Sequence, residues 1–201
     1  MFKVVEMERQ TKETEISLKL NLEGKGETDI DTGIGFFDHM LELFSYHGFI
    51  DMDLSVNGDL YVDEHHTVED VGIVLGQAIS KALGEKTGIR RYGDVTLPMD
   101  ETMVQVVLDL SGRPYYLDDL EFSRETVGDF PVELFGEFFR ALTNNSGMTL
   151  HIRMIRPGNA HHVIEACFKA FGRALDQALQ IDNRLGDKTM STKGSLREGD
   201  S

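Results

Sequence analysis

The chain carries two short motifs of one design, a double histidine followed at a fixed distance by a glutamate. They occupy residues 65–69 (His-His-Thr-Val-Glu) and residues 161–165 (His-His-Val-Ile-Glu). On a helix, each glutamate shares a face with both preceding histidines. The two adjacent histidines point about 100° apart, because a helix has about 3.6 residues per turn. Each pair is therefore predicted to serve two different ions, so that two divalent-metal sites each draw on both motifs.

The two motifs end two halves that follow the same order of strand, turn, helix, hairpin and motif helix. Glu13 and Glu101 each precede a threonine, and a glycine stands ten residues after each threonine. The helix preceding the first motif also has a counterpart, in which His39 aligns with Glu137. We infer an internally duplicated α+β fold, in which each half is an antiparallel sheet with two helices packed on one face.

The predicted boundaries place the first repeat at 1–93, the second at 94–181 and a polar C-terminal tail at 182–201. The tail is predicted to hold a substrate-contacting segment followed by disorder. Hydrophobic spacing and turn residues predict the secondary structure within the halves. Strands are expected at 15–22, 28–32, 51–56, 60–62, 95–99, 103–110, 115–122 and 148–155. Helices are expected at 36–47, 65–83, 131–143 and 161–179. Asn57-Gly58 predicts a hairpin between 51–56 and 60–62, and 115–122 is the expected partner of 103–110.

Composition narrows the class of protein. The 201 residues have a formal net charge of -15, which argues against nucleic-acid or membrane-surface partners, because those require a basic face. The single cysteine, Cys167, excludes an intramolecular disulfide and fits a reducing compartment. The N-terminus has no apolar run typical of a secretory signal, and no stretch is long enough to span a bilayer. A cytoplasmic location is predicted.

Further residues could complete a site. The repeat nominates His39 as a ligand and leaves Glu137 open, whereas His47 and His151 stay outside the primary shell. Either glutamate that precedes a strand could act as a general base. In so acidic a chain, a convergent group of cations would select a phosphorylated small molecule. The candidate anion-binding residues are Arg91, Arg113, Lys169, Ser191 and Lys193.

The sequence resembles the imidazoleglycerol-phosphate dehydratase family over about residues 9–196. The motifs that carry the resemblance are Thr-Gly-Ile-Gly-Phe-Phe-Asp-His-Met-Leu (32–41), Asp-Glu-His-His-Thr-Val-Glu-Asp (63–70), Met-Asp-Glu (99–101), Asp-Leu-Ser-Gly-Arg-Pro (109–114), His-His-Val-Ile-Glu-Ala-Cys-Phe-Lys-Ala (161–170) and Ser-Thr-Lys-Gly (191–194). It implies two fused α+β halves and an assembly of 24 subunits, with manganese sites completed between subunits. It also implies an enzyme of histidine biosynthesis, which converts D-erythro-imidazole-glycerol phosphate to imidazole-acetol phosphate and water.

The resemblance also assigns roles by position. Glu13 matches the residue that transfers a proton, and the five anion-binding candidates match substrate contacts, mainly to the phosphate. Some members have a histidine ligand where this chain has Glu137. Two manganese ions per active site are implied. The positions that match metal ligands are His39, His65, His66, Glu69, His161, His162 and Glu165.

The implied chemistry is consistent with these residue types. The proton on carbon 2 of the glycerol chain is not acidic, so its direct removal would be slow. An imidazole between two cations can lose its ring proton, and the imidazolate can expel the adjacent hydroxyl. The neighbouring C–H then becomes acidic enough for Glu13 to remove its proton. Two alternatives remain at this stage, a di-metal hydrolase of a phosphorylated metabolite and a non-enzymatic metal-binding or assembly protein.

Overall fold

The computed structural model describes residues 2–194 and 196, which form two four-stranded sheets, one two-stranded ribbon and four helices. The first sheet contains β1 (Val5–Gln10), β2 (Thr14–Asn21), β3 (Thr28–Asp31) and β4 (Asp51–Gly58). Its helices are α1 (Gly35–Gly48) and α2 (His65–Leu83). The disorder predicted for the end of the tail falls on residues 195 and 197–201, outside the described residues.

The second half repeats this order. Its sheet contains β5 (Tyr92–Met99), β6 (Thr102–Asp109), β7 (Tyr115–Asp118) and β10 (Thr149–Arg156). A short ribbon of β8 (Thr126–Val127) and β9 (Phe130–Pro131) precedes α3 (Glu133–Ser146), and α4 (Ala160–Leu179) ends the half.

The two sheets have the same topology, with strand orders β1-β2-β4-β3 and β5-β6-β10-β7. The predicted duplicated α+β fold is thus confirmed, with one addition. In each sheet the last pair, β4 with β3 and β10 with β7, runs parallel, whereas the other pairs are antiparallel. The predicted pairing of 115–122 with 103–110 is therefore wrong.

The two halves are joined through their helices. The helix α2 packs on α3, and α1 packs on α4, so that each contact crosses from one half to the other. Alternation of apolar residues along β2 and β6 turns one face of each sheet toward this helical layer. The buried core is rich in phenylalanine at the crossings, where Phe44 stacks on Phe171 with ring centroids 5.1 Å apart.

The first strand was not predicted, and the predicted hairpin at 51–62 is wrong. β4 runs without interruption to Gly58 and pairs with both β2 and β3. Residues 60–62 form a turn before α2. Among the described residues, none of the helices is both long and apolar enough to cross a membrane.

Candidate metal and substrate site

The packing of α1 on α4 brings three predicted ligands together. His39 lies on α1 of the first half, and His161 and Glu165 lie on the first turns of α4. The Nε2 atoms of His39 and His161 lie 3.9 and 3.2 Å from Oε2 of Glu165. One donor atom from each of the three residues falls within 4.8 Å of the others. Two imidazoles and one carboxylate at this separation suit a divalent transition metal.

The carboxylate of Glu165 also receives a cation from its own helix. Nζ of Lys169 lies 2.5 Å from Oε1 of Glu165, one turn further along α4. Burial raises the pKa of Glu165, but the Lys169 hydrogen bond and charge, with smaller contributions from His39 and His161, outweigh burial and lower it. The carboxylate is therefore ionised at neutral pH, as a metal ligand must be.

The repeat-related residues lie on α2 of the first half and on α3 of the second, and they do not form such a group among the described residues. Nε2 of His65 lies 3.9 Å from Oε2 of Glu69, as expected for an i, i+4 pair. Glu137, the counterpart of His39, lies on α3 and accepts a hydrogen bond of 2.6 Å from Arg140. Within the described residues, Glu137 is not among the three-residue groups that are close enough to share an ion.

The two histidine rings of each motif are nearly perpendicular and contact different groups. The ring planes of His65 and His66 differ by 85°, and those of His161 and His162 by 82°. Each second histidine faces an acidic residue of its own half. Nδ1 of His66 lies 3.1 Å from Asp59, and Nδ1 of His162 lies 3.0 Å from Glu101.

These acidic partners alter the charge state of the rings. The hydrogen bond with Asp59 raises the pKa of His66, and the hydrogen bond with Glu101 raises the pKa of His162. Glu101 accepts a backbone hydrogen bond from Asn159 as well, and this bond and the one from His162 lower its pKa to about 2. The histidines are thus held in place by carboxylates that orient their rings.

The two glutamates that precede β2 and β6 occupy related places. Oε1 of Glu13 lies 3.9 Å from Nε2 of His66, and Glu101 contacts His162. Glu13 is half exposed, with 52% of its side chain accessible, so a substrate could reach it. Glu101 and Asp100 form a second three-residue group with His162, in which the donor atoms lie within 4.8 Å. The role of Glu101, which the sequence left open, includes orienting this ring.

The anion-binding candidates lie in two places, one beside Glu165 and one around Asp109 and the tail. Lys169 lies beside Glu165 on α4, whereas Arg91 donates two hydrogen bonds to Asp109. Arg113 follows on the β6–β7 turn with 68% of its side chain exposed. Ser191 accepts a hydrogen bond from the backbone of Lys193, which forms a tight turn in the tail.

Two acidic residues that contact candidate site residues were missed from the sequence. Asp59 was read as part of a hairpin, and its repeat-related position carries no acidic residue that would have singled it out. Asp109 had a usable signal, because it stands four residues before Arg113 in the same turn sequence. Cys167 behaves as a structural residue, since it is fully buried and burial raises the pKa of its thiol.

The two remaining histidines are not in the groups that could share an ion among the described residues. His47 is near the end of α1, where burial first, and the nearby Lys169 and Arg173 next, lower its pKa. His151 lies on β10 beside Tyr115, with ring centroids 5.7 Å apart. Neither belongs to a three-residue group that could share an ion among the described residues.

Comparison with known proteins gives one consistent result. A family profile described as imidazoleglycerol-phosphate dehydratase matches residues 32–175. The imidazoleglycerol-phosphate dehydratase of Acetivibrio thermocellus is 57% identical over 191 residues, which cover 95% of this chain and 97% of that protein. The protein of the same name from Clostridium acetobutylicum is 57% identical over 190 residues, covering 94% and 96% of the two chains.

Solved structures give the same similarity in three dimensions. The crystal structure of imidazoleglycerol-phosphate dehydratase from Staphylococcus aureus superposes with a TM-score of 0.82 at 41% identity, over 90% of this chain and all of that one. A crystal structure of the Pyrococcus furiosus protein, in complex with (S)-C348, also superposes with a TM-score of 0.82. Its identity is 36%, and the match covers 94% of this chain and 100% of that chain.

Proposed function

Because this chain belongs to the imidazoleglycerol-phosphate dehydratase family, whose members are hydro-lyases of histidine biosynthesis, we propose that it dehydrates D-erythro-imidazole-glycerol phosphate at a site holding two divalent metal ions. The product would be imidazole-acetol phosphate plus water. The family establishes the class of reaction, and the arrangement of side chains supports the mechanism proposed below.

One observation carries the proposal. A histidine of the first half, His39, lies within 4.8 Å of two ligand atoms of the second half, from His161 and Glu165. A duplicated protein that uses its repeat contact to assemble imidazoles and a carboxylate has the donor set of a divalent-metal site. The second proposed ion would be held by the related residues His65 and Glu69 of the first half.

Ions held by His39, His161 and Glu165, and by His65 and Glu69, would supply positive charge that makes the ring proton of a bound imidazole more acidic. We propose manganese on family grounds, since nitrogen and carboxylate donors generally bind zinc, nickel or copper more tightly.

The protein's own groups then divide the remaining work. Glu13 would accept the proton from carbon 2, because it is exposed and lies beside His66. Arg91, Arg113, Lys169, Ser191 and Lys193 would hold the phosphate, and charge-assisted hydrogen bonds make such contacts strong. A fixed phosphate would position the glycerol chain against Glu13, and positioning can contribute a large share of the rate.

We further propose that the sites are completed by neighbouring subunits in an assembly of 24 chains. Three ligands of one chain converge at His39, whereas a transition metal in an octahedral site takes more. His66 and His162 keep 35% and 31% of their side chains exposed. A neighbouring chain could therefore use them to fill the shell.

Product analysis tests the proposed reaction. Metal-loaded protein is incubated with imidazole-glycerol phosphate, and the mixture is analysed by mass spectrometry and for inorganic phosphate. The expected product is the keto compound, 18 mass units lighter than the substrate by loss of one water, with no release of phosphate. Release of phosphate without the keto product would instead identify a di-metal hydrolase.

A further inference from the structure

Asp109 contacts two of the proposed phosphate-binding cations, Arg91 and Arg113. We propose that Asp109 is a positioning residue, which holds Arg91 so that this arginine fixes the C-terminal segment and delivers Ser191 and Lys193 to the substrate phosphate. The inference rests on the proposed function for its substrate, but the contacts that carry it are independent of the reaction.

The contact between Asp109 and Arg91 is bidentate. Nε of Arg91 donates to Oδ1 at 2.6 Å, and NH2 donates to Oδ2 at 2.9 Å. Only 10% of the Arg91 side chain and 19% of the Asp109 side chain are exposed. A planar guanidinium bound at two points loses its freedom to rotate, so this pair fixes the direction of the third nitrogen.

The third nitrogen of Arg91 reaches the tail. NH1 donates a hydrogen bond of 2.6 Å to the carbonyl oxygen of Met190, which directly precedes Ser191. The loop before Arg91 adds two backbone contacts to the tail. The amide of Gly88 donates to the carbonyl of Lys188, and the carbonyl of Gly88 accepts from the amide of Asp182. Arg91 thus provides the last described side-chain contact that holds the tail before the segment 191–193.

The backbone of Arg91 is fixed as firmly as its side chain. Its φ of 74° lies in the left-handed region, which a residue with a side chain adopts at a cost in energy. Its amide donates to Ala178 at the end of α4, and its carbonyl accepts from Leu110 at the end of β6. The guanidinium also lies over the ring of Tyr92, 4.7 Å from the centroid. Contacts on every side therefore maintain this conformation.

Two further cations converge on the same carboxylate. NH2 of Arg113 lies 3.9 Å from Oδ2 of Asp109, while most of its side chain stays exposed. Lys86 is buried, with 8% of its surface exposed. Burial lowers the pKa of its ammonium group, and the charge of Asp109 partly opposes that effect. One carboxylate among three cations offsets their mutual repulsion and lets them stay close together before an anion binds.

Replacing Asp109 by asparagine tests this role. Asp109→Asn keeps the shape but removes the charge and one acceptor, so Arg91 loses its bidentate partner. We expect KM for imidazole-glycerol phosphate to rise at least tenfold and kcat to change by less than about threefold. Inhibition by inorganic phosphate, used as the probe for the anion site, should weaken to the same extent. Hydrogen exchange of residues 186–194 should become at least tenfold faster.

Three comparisons make the test specific. Asp176→Asn removes the acidic partner of Arg173, a surface pair 3.7 Å apart on α4, and it should leave KM and tail exchange unchanged. Asp109→Glu, which keeps the charge, should recover part of the lost phosphate affinity. If Asp109→Asn fails to fold, Arg91→Lys replaces it for the exchange measurement alone, because lysine keeps the charge but cannot bind at two points, and Arg91 is itself a proposed phosphate contact. Normal tail exchange in that variant would overturn the proposal.

Normal KM and normal tail exchange in Asp109→Asn would overturn the proposal. Faster tail exchange with an unchanged KM would also overturn it, because the tail would then not serve the phosphate. Failure of the proposed function gives a different result, in which wild-type protein forms no keto product while the exchange measurement still reports on the contact between Arg91 and the tail.

Discussion

Glu165 and Glu13 are both glutamates of the proposed site, yet their surroundings suit them to different work. Glu165 is buried, with 8% of its surface exposed, and it contacts the imidazoles of His39 and His161 and the ammonium group of Lys169. Those contacts keep it ionised and fixed, as a ligand requires. Glu13 is half exposed and has one histidine at 3.9 Å, which leaves it free to accept a proton from a bound molecule.

Replacing Glu13 by glutamine should therefore separate catalysis from binding. Glu13→Gln is expected to retain metal content and substrate affinity, because glutamine keeps the size of the side chain. Its kcat should fall by about 10²-fold or more, since a general base contributes about 10²–10⁴-fold. Steady-state kinetics with metal analysis measures both effects.

Glu15→Gln is the matched control for this variant. Glu15 lies two residues further along, is exposed, and pairs with Gln10 and Asn57 in the sheet. It should keep wild-type turnover. A Glu13→Gln variant with near-normal kcat would show that another group removes the proton.

Among the elements, the helix contacts between the halves are built on two repeat-related glycines. Gly76 of α2 faces the carbonyl of Leu142, and Gly172 of α4 faces the carbonyl of Phe44. A Cβ atom would lie 2.5 Å from the first oxygen and 2.4 Å from the second. The close approach at Gly172 sets the position of α1 relative to α4, and with it the distance from His39 to Glu165.

An alanine at Gly172 should therefore push α1 and α4 apart. We expect Gly172→Ala to lower the free energy of unfolding by about 1–3 kcal/mol, the usual cost of overpacking a core. The spacing between His39 and Glu165 should grow with it, so metal affinity should fall as well. Denaturant unfolding and calorimetric metal titration measure the two effects.

Gly136→Ala is a suitable control, because Gly136 lies in α3 and a Cβ there meets no atom within 4 Å. In an open helical position, alanine is favoured over glycine by up to about 1 kcal/mol. Equal stability of Gly172→Ala and Gly136→Ala would contradict the close-packing argument.

The sequence predicted elements well where a local pattern determines them. The spacing of the motif helices gave α2 at 65–83, in agreement with the structure, because both its first residue and the glycine that follows it carry clear signals. The alternation at 15–22 and 103–110 likewise predicted β2 and β6 to within one residue at each end. The charged strand β1 gave no such pattern, since it lies at an edge and keeps several side chains exposed.

Contacts between distant parts of the chain explain the wrong predictions. Asn57-Gly58 has the composition of a hairpin turn, but Gly58 ends β4, where a Cβ atom would lie 2.0 Å from Oγ1 of Thr67. The glycine thus allows α2 to approach, and no turn is required there. The parallel pairing of β7 with β10 depends on α3 between them, which a local reading of the Ser-Gly-Arg-Pro turn does not include.

The same limit applies to the site. The motifs and the repeat predicted His39, His161 and Glu165 as ligands, and the structure brings their donor atoms within 4.8 Å of one another. Neither the motifs nor the repeat indicated that Arg91 binds Asp109 and the tail, since those contacts join a loop, a strand end and a segment about 100 residues away.

On the scale of the whole molecule, the duplication places one helical layer between two sheets and the proposed ligands at one end of it. The two contacts between the halves, α1 with α4 and α2 with α3, are related by the repeat. They predict two metal positions per chain, one at His39 and one at His65 and Glu69. Glu137, the second-half counterpart of His39, accepts a hydrogen bond from Arg140 instead, so the two positions differ in the residues available to them.

Counting metal ions against turnover tests the central claim most directly. Chelator-stripped wild-type protein is titrated with Mn²⁺ in the presence of imidazole-glycerol phosphate, while bound metal is counted by mass spectrometry. We predict no keto product from the stripped protein, a rate that rises as ions bind, and a maximum at two ions per chain. Full turnover by the stripped protein would contradict the proposal that the paired motifs build the catalytic site.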